Sequence, residues 1–402
     1  METKDSEGLQ NEAHATAVAL LRANLTPAGI LAATPCEQAD ARRYNCIFGR
    51  DAAICALGMA AGGERDLIEG ARAGLRTLAE HQAPNGQIPK FVDPAGREPD
   101  FWYLGCIDAT LWWLIALHEL QQRRPDAAFG VAMGPQVASA IDWLSCQEHP
   151  MLHLVQQNEA SDWADIMPRS GFVLYSNALW FGVKRRYGLP HAEQTLFHFN
   201  HLFYPFSRQR PDYRRLRLLT DYVLDGGRDD GLYLSFVNLG FWGDEGDVFG
   251  NLLAVLFGLA EPEPARHILD SLRASRIQAP RPVKAVVRPI PVDARLWRSY
   301  MDRHGQNRPW QYHNGGCWPF IGGFWALALL RAGARQEAEA VLVSMAQAHR
   351  VGDWGYYEWF QGETGEARGM RGQSWNAAMY LLAEAELKGA AEPSGSEQGS
   401  AF

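Results

Sequence analysis

Carboxyl groups set among aromatic side chains are the residues of this chain best suited to chemistry. Asp162 and Asp165 lie in Ser161-Asp162-Trp163-Ala164-Asp165, followed by Ile166, Met167 and a long apolar run. Glu358 lies between Tyr357 and Trp359. Burial against apolar rings disfavours the charged form of a carboxyl group and holds its proton toward neutral pH. Cleaving the acetal link between two sugars needs one such acid to protonate the leaving oxygen. It also needs one carboxylate to take a proton from the attacking water. Asp165 is the expected acid, with Asp162 as its rival, and Glu358 is the expected base. Glu363 is the alternative base, although Gln361-Gly362-Glu363-Thr364-Gly365 reads as a solvated turn.

The residues expected to hold a sugar lie in similar loops. A buried Asp accepts from two hydroxyls at once, and an adjacent Arg keeps it ionised, which fits Arg50-Asp51. Asp108 sits inside Cys106-Ile107-Asp108-Ala109-Thr110-Leu111-Trp112-Trp113, where an unsatisfied charge is costly, so it too reads as functional. Asp162, Trp163, Tyr312, His313 and Asn314 complete the set of loop residues that could touch substrate. Gly315-Gly316 after them lets backbone approach a ligand or turn tightly. The chain has 14 tryptophans, and indole faces beside carboxylates suit a pyranose.

The elements that must position these groups read as helices. Apolar periodicity predicts them over roughly 8–24, 51–61, 65–82, 105–122, 134–147, 171–187, 191–203, 212–223, 247–259, 263–274, 316–332, 335–349 and 371–387. Some are amphipathic, such as Glu64–His81 and Ala334–Ala348. Others are apolar nearly all round, such as Leu111–Leu117, Leu252–Leu259 and Phe320–Leu330, and must be buried on both sides. That alternation predicts an all-α chain folded as a single-domain (α/α)6 barrel, six hairpins with an inner ring inside an outer one. A polar loop precedes nearly every apolar helix: Tyr44–Asp51, Asp100–Tyr103 leading to Asp108, Ser161–Asp165, Trp242–Asp247, Gln311–Gly316 and Asp353–Trp359. If the inner helices run parallel, these six loops and the positive helix N-termini converge on one face. The expected boundaries are a flexible tail at 1–10, the barrel at 11–388 and a disordered tail at 389–402. Val283–Val292 is β-branched, but its prolines mark it as an irregular connection.

Bulk properties exclude other classes. The net charge of −8 argues against a nucleic-acid partner and against a polybasic membrane anchor. No apolar run reaches 18 residues, and Met1–Gln10 lacks the apolar segment of a signal peptide. Six scattered cysteines without metal spacing read as free thiols in a reducing cytoplasm. His198 and His201 have metal-ligand spacing but no third ligand, so no metal is expected. The expected partners are a small carbohydrate and, at most, further copies of the chain.

Several motifs, in order along the chain, resemble those of the alkaline/neutral invertases, glycoside hydrolase family 100. Tyr312-His313-Asn314-Gly315-Gly316-Cys317-Trp318-Pro319 is similar to their Tyr-His-Asn-Gly-Gly-Ser-Trp-Pro, with Cys317 in place of serine. Phe48-Gly49-Arg50-Asp51, Ile107–Trp113, Gly250–Ala254, Glu358–Gly365 and Gln373-Ser374-Trp375 resemble further segments of that family. The resemblance implies an (α/α)6 barrel and inversion at an α-glucosyl centre without metal or cofactor. It also implies Glu358 as base, Asp165 as acid and Gln373 at the substrate. The text around Asp165 departs from the invertases and resembles the amylo-α-1,6-glucosidase part of glycogen debranching enzymes. The readings are therefore an inverting hydrolase of a small α-glucoside such as sucrose, or a debranching-like exo-α-glucosidase on short oligosaccharides. From another class comes a sugar epimerase on the same barrel, for which only His313 lies in a motif loop.

Overall fold

The computed structural model describes residues 2–94, 99–101, 106–207 and 213–390. In chain order its helices are α1 (Glu2–Ala23), α2 (Glu37–Ala41), α3 (Gly49–Gly62), α4 (Arg65–Glu80), α5 (Ile107–Arg123), α6 (Ala127–Gln147), α7 (Leu174–Tyr187), α8 (Ala192–Phe203), α9 (Arg214–Gly226), α10 (Val248–Leu256), α11 (Pro262–Ala274), α12 (Ser299–His304), α13 (Pro319–Arg331), α14 (Arg335–Trp354) and α15 (Ser374–Gly389).

Two kinds of helix alternate, and their surfaces explain how they sort. Every residue of α10 is buried, as is α13 from Pro319 to Leu329 and α3 from Gly49 to Ala60. Helix α4 buries only a stripe that includes Leu67, Ile68, Ala71, Leu75 and Leu78, at the spacing of one helix face. The all-round apolar helices α3, α5, α7, α10, α13 and α15 pack each against the next, and α15 returns to α3, closing a ring of six. Outside them α1 packs on α15, α4 on α3, α6 on α5, α8 on α7, α11 on α10 and α14 on α13. This is the (α/α)6 barrel expected from the sequence.

Close approach and indole bonds tie the rings together. A Cβ added to Gly58 would lie 1.9 Å from the Ala378 carbonyl oxygen, so the backbones of α3 and α15 touch there. Trp113 donates its indole N–H to the Leu75 carbonyl at 2.9 Å, joining α5 to α4. Trp112 donates to the Tyr175 hydroxyl at 2.7 Å, joining α5 to α7.

Some expected boundaries moved. Helix α1 runs back to Glu2 through the segment read as a tail, because Leu9 extends the buried stripe of Ala13 and Ala17. Helix α6 starts at Ala127, two turns ahead of Pro135, where Asp126 accepts from the Phe129 N–H at 3.0 Å as an N-cap. The segment 171–173, read as helix, is a strand. It pairs antiparallel with 156–157 on one side and 236–238 on the other, and 241–243 completes a four-stranded sheet. The irregular connection after Val283 threads between two polar loops. Val287 donates to Gly246 at 3.0 Å, and Ala285 donates to Gly316 at 2.8 Å. Trp102, Tyr103 and 391–402 lie outside the described residues.

Candidate active site

The N-terminal ends of the inner helices share one side of the ring, and a cavity of about 810 Å³ opens there. Arg50 and Asp51 from the start of α3, Trp318 before α13 and Trp375 at the start of α15 all line it. So do Tyr44, Lys90, Trp163, Asp165, Tyr312, His313, Glu358 and Trp359 from the loops. The sequence-predicted pair, Asp165 and Glu358, therefore faces one space from different loops.

The two carboxyl groups are equipped differently. Glu358 is buried, receives the Tyr44 hydroxyl on Oε1 at 2.6 Å and receives the Met370 backbone N–H on Oε2 at 3.0 Å. Burial pushes its pKa above the ordinary value, and those two donors act in the opposite direction by favouring the carboxylate. Among the described residues, no group donates a hydrogen bond to the carboxyl of Asp165. Burial pushes it upward, Lys90 and Arg50 draw it down, and the Asp162 charge adds to the rise. The loop carrying Asp165 turns sharply, with Ile166 at φ +54°, a region that β-branched residues avoid.

Arg50 stands at the centre of a buried charge network. Its Nη1 bonds Asp108 at 3.1 Å and its Nε lies 3.3 Å from Asp51. The Tyr175 hydroxyl also donates to Asp108, at 3.1 Å. Asp108 is fully buried, and its pKa is pushed up to about 6, chiefly by burial and against the pull of Arg50. It does not line the cavity; it anchors Arg50 from behind.

Three other predicted contacts also lie outside the cavity lining. Asp162 uses its carboxylate on its own loop, accepting from the Ala164 N–H at 2.8 Å and from Gln157 at 2.9 Å. Asn314 bonds the Ile290 backbone in both directions, at 2.7 and 2.9 Å, and so fixes its loop. Gln373 is fully buried at the N-cap of α15. His313 does reach the cavity, but its Nδ1–H donates to the Asp165 carbonyl at 3.3 Å, and burial lowers its pKa well below the usual range. Its ring is stacked on Trp318 at 4.9 Å. Tyr312 lies beside it, within electrostatic reach of both Glu358 and Asp165.

Sequence reasoning missed Tyr44, Lys90, Trp318, Trp375 and Asn307. Tyr44 opens a motif loop, but nothing local signals that its hydroxyl meets a carboxylate 314 positions away. Asn307 stands in a stretch with no motif at all.

Residues 247–389 match the sequence model of the family described as alkaline and neutral invertase. The resemblance read from the motifs is thus borne out over that stretch, which holds Tyr312–Pro319, Glu358–Gly365 and Gln373–Trp375. The Arg50-Asp51 and Asp165 loops lie outside it. The chain is 31% identical over 144 residues to probable alkaline/neutral invertase D of Arabidopsis thaliana, covering 35% of this chain and 26% of that protein. It is 30% identical over 144 residues to cytosolic invertase 1 of Oryza sativa subsp. japonica, covering 35% and 25%. The chain spans about a quarter of the length of these relatives. Among solved structures it is similar to a GH63 mannosylglycerate hydrolase from Thermus thermophilus in complex with Tris and D-glycerate. The TM-score is 0.65 at 16% identity, covering 92% of this chain and 99% of that one. A second neighbour, described as a wild-type glycosidase, has a TM-score of 0.62 at 17% identity, covering 96% and 98%. At such identities the likeness is one of fold.

Proposed function

We propose that the protein is an inverting glycoside hydrolase acting on a small α-linked glucoside, with Asp165 as general acid and Glu358 as general base. The observation that carries this is the unequal equipment of two carboxyl groups lining one aromatic cavity. Two hydrogen-bond donors favour the ionised form of Glu358, whereas Asp165 has none among the described residues and its pKa is raised, chiefly by desolvation. Asp165 gives its proton to the glycosidic oxygen as the bond from that oxygen to the anomeric carbon breaks. Water bonds to the anomeric carbon from the opposite face and loses a proton to Glu358, so the configuration inverts. Asp51, held by Arg50, accepts from sugar hydroxyls, and the rings of Trp318 and Trp375 pack against the pyranose.

The invertase match favours sucrose as substrate, and the cytosolic relative favours a cytosolic setting. A second reading of the leaving group has its own support. Arg42, Arg43, Lys90 and Arg368 also line the cavity, although the chain as a whole is acidic. The structural neighbour was solved with D-glycerate. An anionic leaving group suits those cations better than fructose does. An epimerase using paired histidines is poorly supported, since His313 is committed to the Asp165 carbonyl.

A panel of α- and β-glucosides, with sucrose and glucosyl-glycerate included, tests the reading. Asp165→Asn and Glu358→Gln should each lose turnover by roughly 10²–10⁴-fold while still binding glucose. Wild-type rates in both variants, or no turnover of any α-glucoside by the native protein, would overturn it.

A further inference from the structure

Among the described residues, no side chain holds the carboxyl of the general acid, so its direction is set by its backbone. The groups that grip that backbone are therefore of interest. Asn307 is fully buried, and its Nδ2 donates to the Asp165 carbonyl at 3.0 Å and to the Ile166 carbonyl at 3.3 Å. These are the two peptide units flanking the residue in the left-handed conformation. The other end of the same carboxamide is also engaged. Its Oδ1 accepts the His313 backbone N–H at 2.9 Å. The Asn307 carbonyl accepts from Asn314 at 3.0 Å, and Asn314 is in turn bonded to Ile290. One side chain thus fastens the acid's turn to the Tyr312–Gly316 loop. Tyr312 and His313 of that loop also line the cavity, and Tyr312 packs on Trp359, next to the base.

We propose that Asn307 is a positioning residue for proton donation: it holds the peptide of Asp165 so that its carboxyl points at the leaving oxygen. The idea rests on the reading of Asp165 as acid. Its consequence is selective. A misdirected acid slows reactions whose leaving group needs a proton and leaves others nearly untouched. A misplacement of about 1 Å costs on the order of 10²-fold in a step that depends on it.

The test compares two probes. Methyl α-glucoside has a poor leaving group that needs the acid, and α-glucosyl fluoride has a good one that does not. Asn307→Asp keeps the size of the side chain and the acceptor for His313 but removes both donors to the acid's turn. Asn307→Ala removes the whole staple. Each should lower kcat/KM on methyl α-glucoside by roughly 10²-fold. On the fluoride each should change it by less than about 5-fold, with KM on the fluoride unchanged. Should the alanine variant not fold, the near-isosteric aspartate variant gives the same comparison. If both probes fall in equal proportion, Asn307 is only a structural bond and the proposal fails. Asp165→Asn measured beside them separates the two levels. It should show the same selectivity for the poor leaving group. If it slows both probes alike, Asp165 is not the acid, and the proposal falls with the reading beneath it.

Discussion

At the scale of single residues, the two carboxyl groups of the cavity differ in their hydrogen bonds, and Glu358 is the more deeply buried. Tyr44 favours the ionised form of Glu358, so Tyr44→Phe should raise the pKa of the base. The acidic limb of the kcat/KM profile should then move to higher pH, with a larger loss at pH 5 than at pH 7. An unmoved limb would show that Tyr44 does not tune the base. Asp108 makes a prediction about stability. Its pKa is raised from 3.8 to about 6 in the folded chain, so its contribution is fully present below 3.8 and is lost as pH rises through about 6. Asp108→Asn removes that titration. Its cost, measured by urea unfolding, should therefore shrink as pH rises from about 4 to about 7. A cost that grows over the same span would contradict the assignment. The lining of the cavity was legible in part. Asp165, Glu358 and the Arg50-Asp51 pair, which all line it, could be picked out because carboxyl groups near aromatic residues and an Arg-Asp pair are costly to bury idly. Asp108, Asp162 and Asn314 look the same in sequence yet hold the frame, because which side of a loop a polar group faces is settled by distant partners such as Tyr175 and Ile290.

At the scale of elements, the apolar helices were legible because α10 and α13 lack any polar face, and α4 shows a clean stripe. Boundaries were less so. The start of α6 depends on a cap at Asp126, and the strand at Gly171–Val173 exists only because 156–157 and 236–238 flank it. The contact between α3 and α15 carries a prediction of its own. Gly58→Ala would drive a methyl group into the Ala378 carbonyl, which neither helix can vacate without opening the ring. It should cost at least about 2 kcal/mol in urea unfolding. Gly62→Ala, whose Cβ meets only the Leu381 side chain at 3.6 Å, should change stability by less than about 0.5 kcal/mol. Equal effects at the two sites would contradict that close packing.

At the scale of the whole molecule, closure of the inner ring is what brings loops from residues 44 to 375 around one cavity. The ring was legible from the alternation of one-sided and two-sided helices. The convergence of the loops followed from inner helices whose N-terminal ends share one side. The identity of the leaving group was not legible, because cavity-lining cations such as Arg42 and Lys90 carry no motif. The central claim is inversion by an acid and a base across that cavity. The most direct measurement is proton NMR of the first sugar released from an α-glucoside. The account predicts β-glucose as the first-formed anomer, released by the native protein and not by Glu358→Gln. Release of α-glucose first would contradict it.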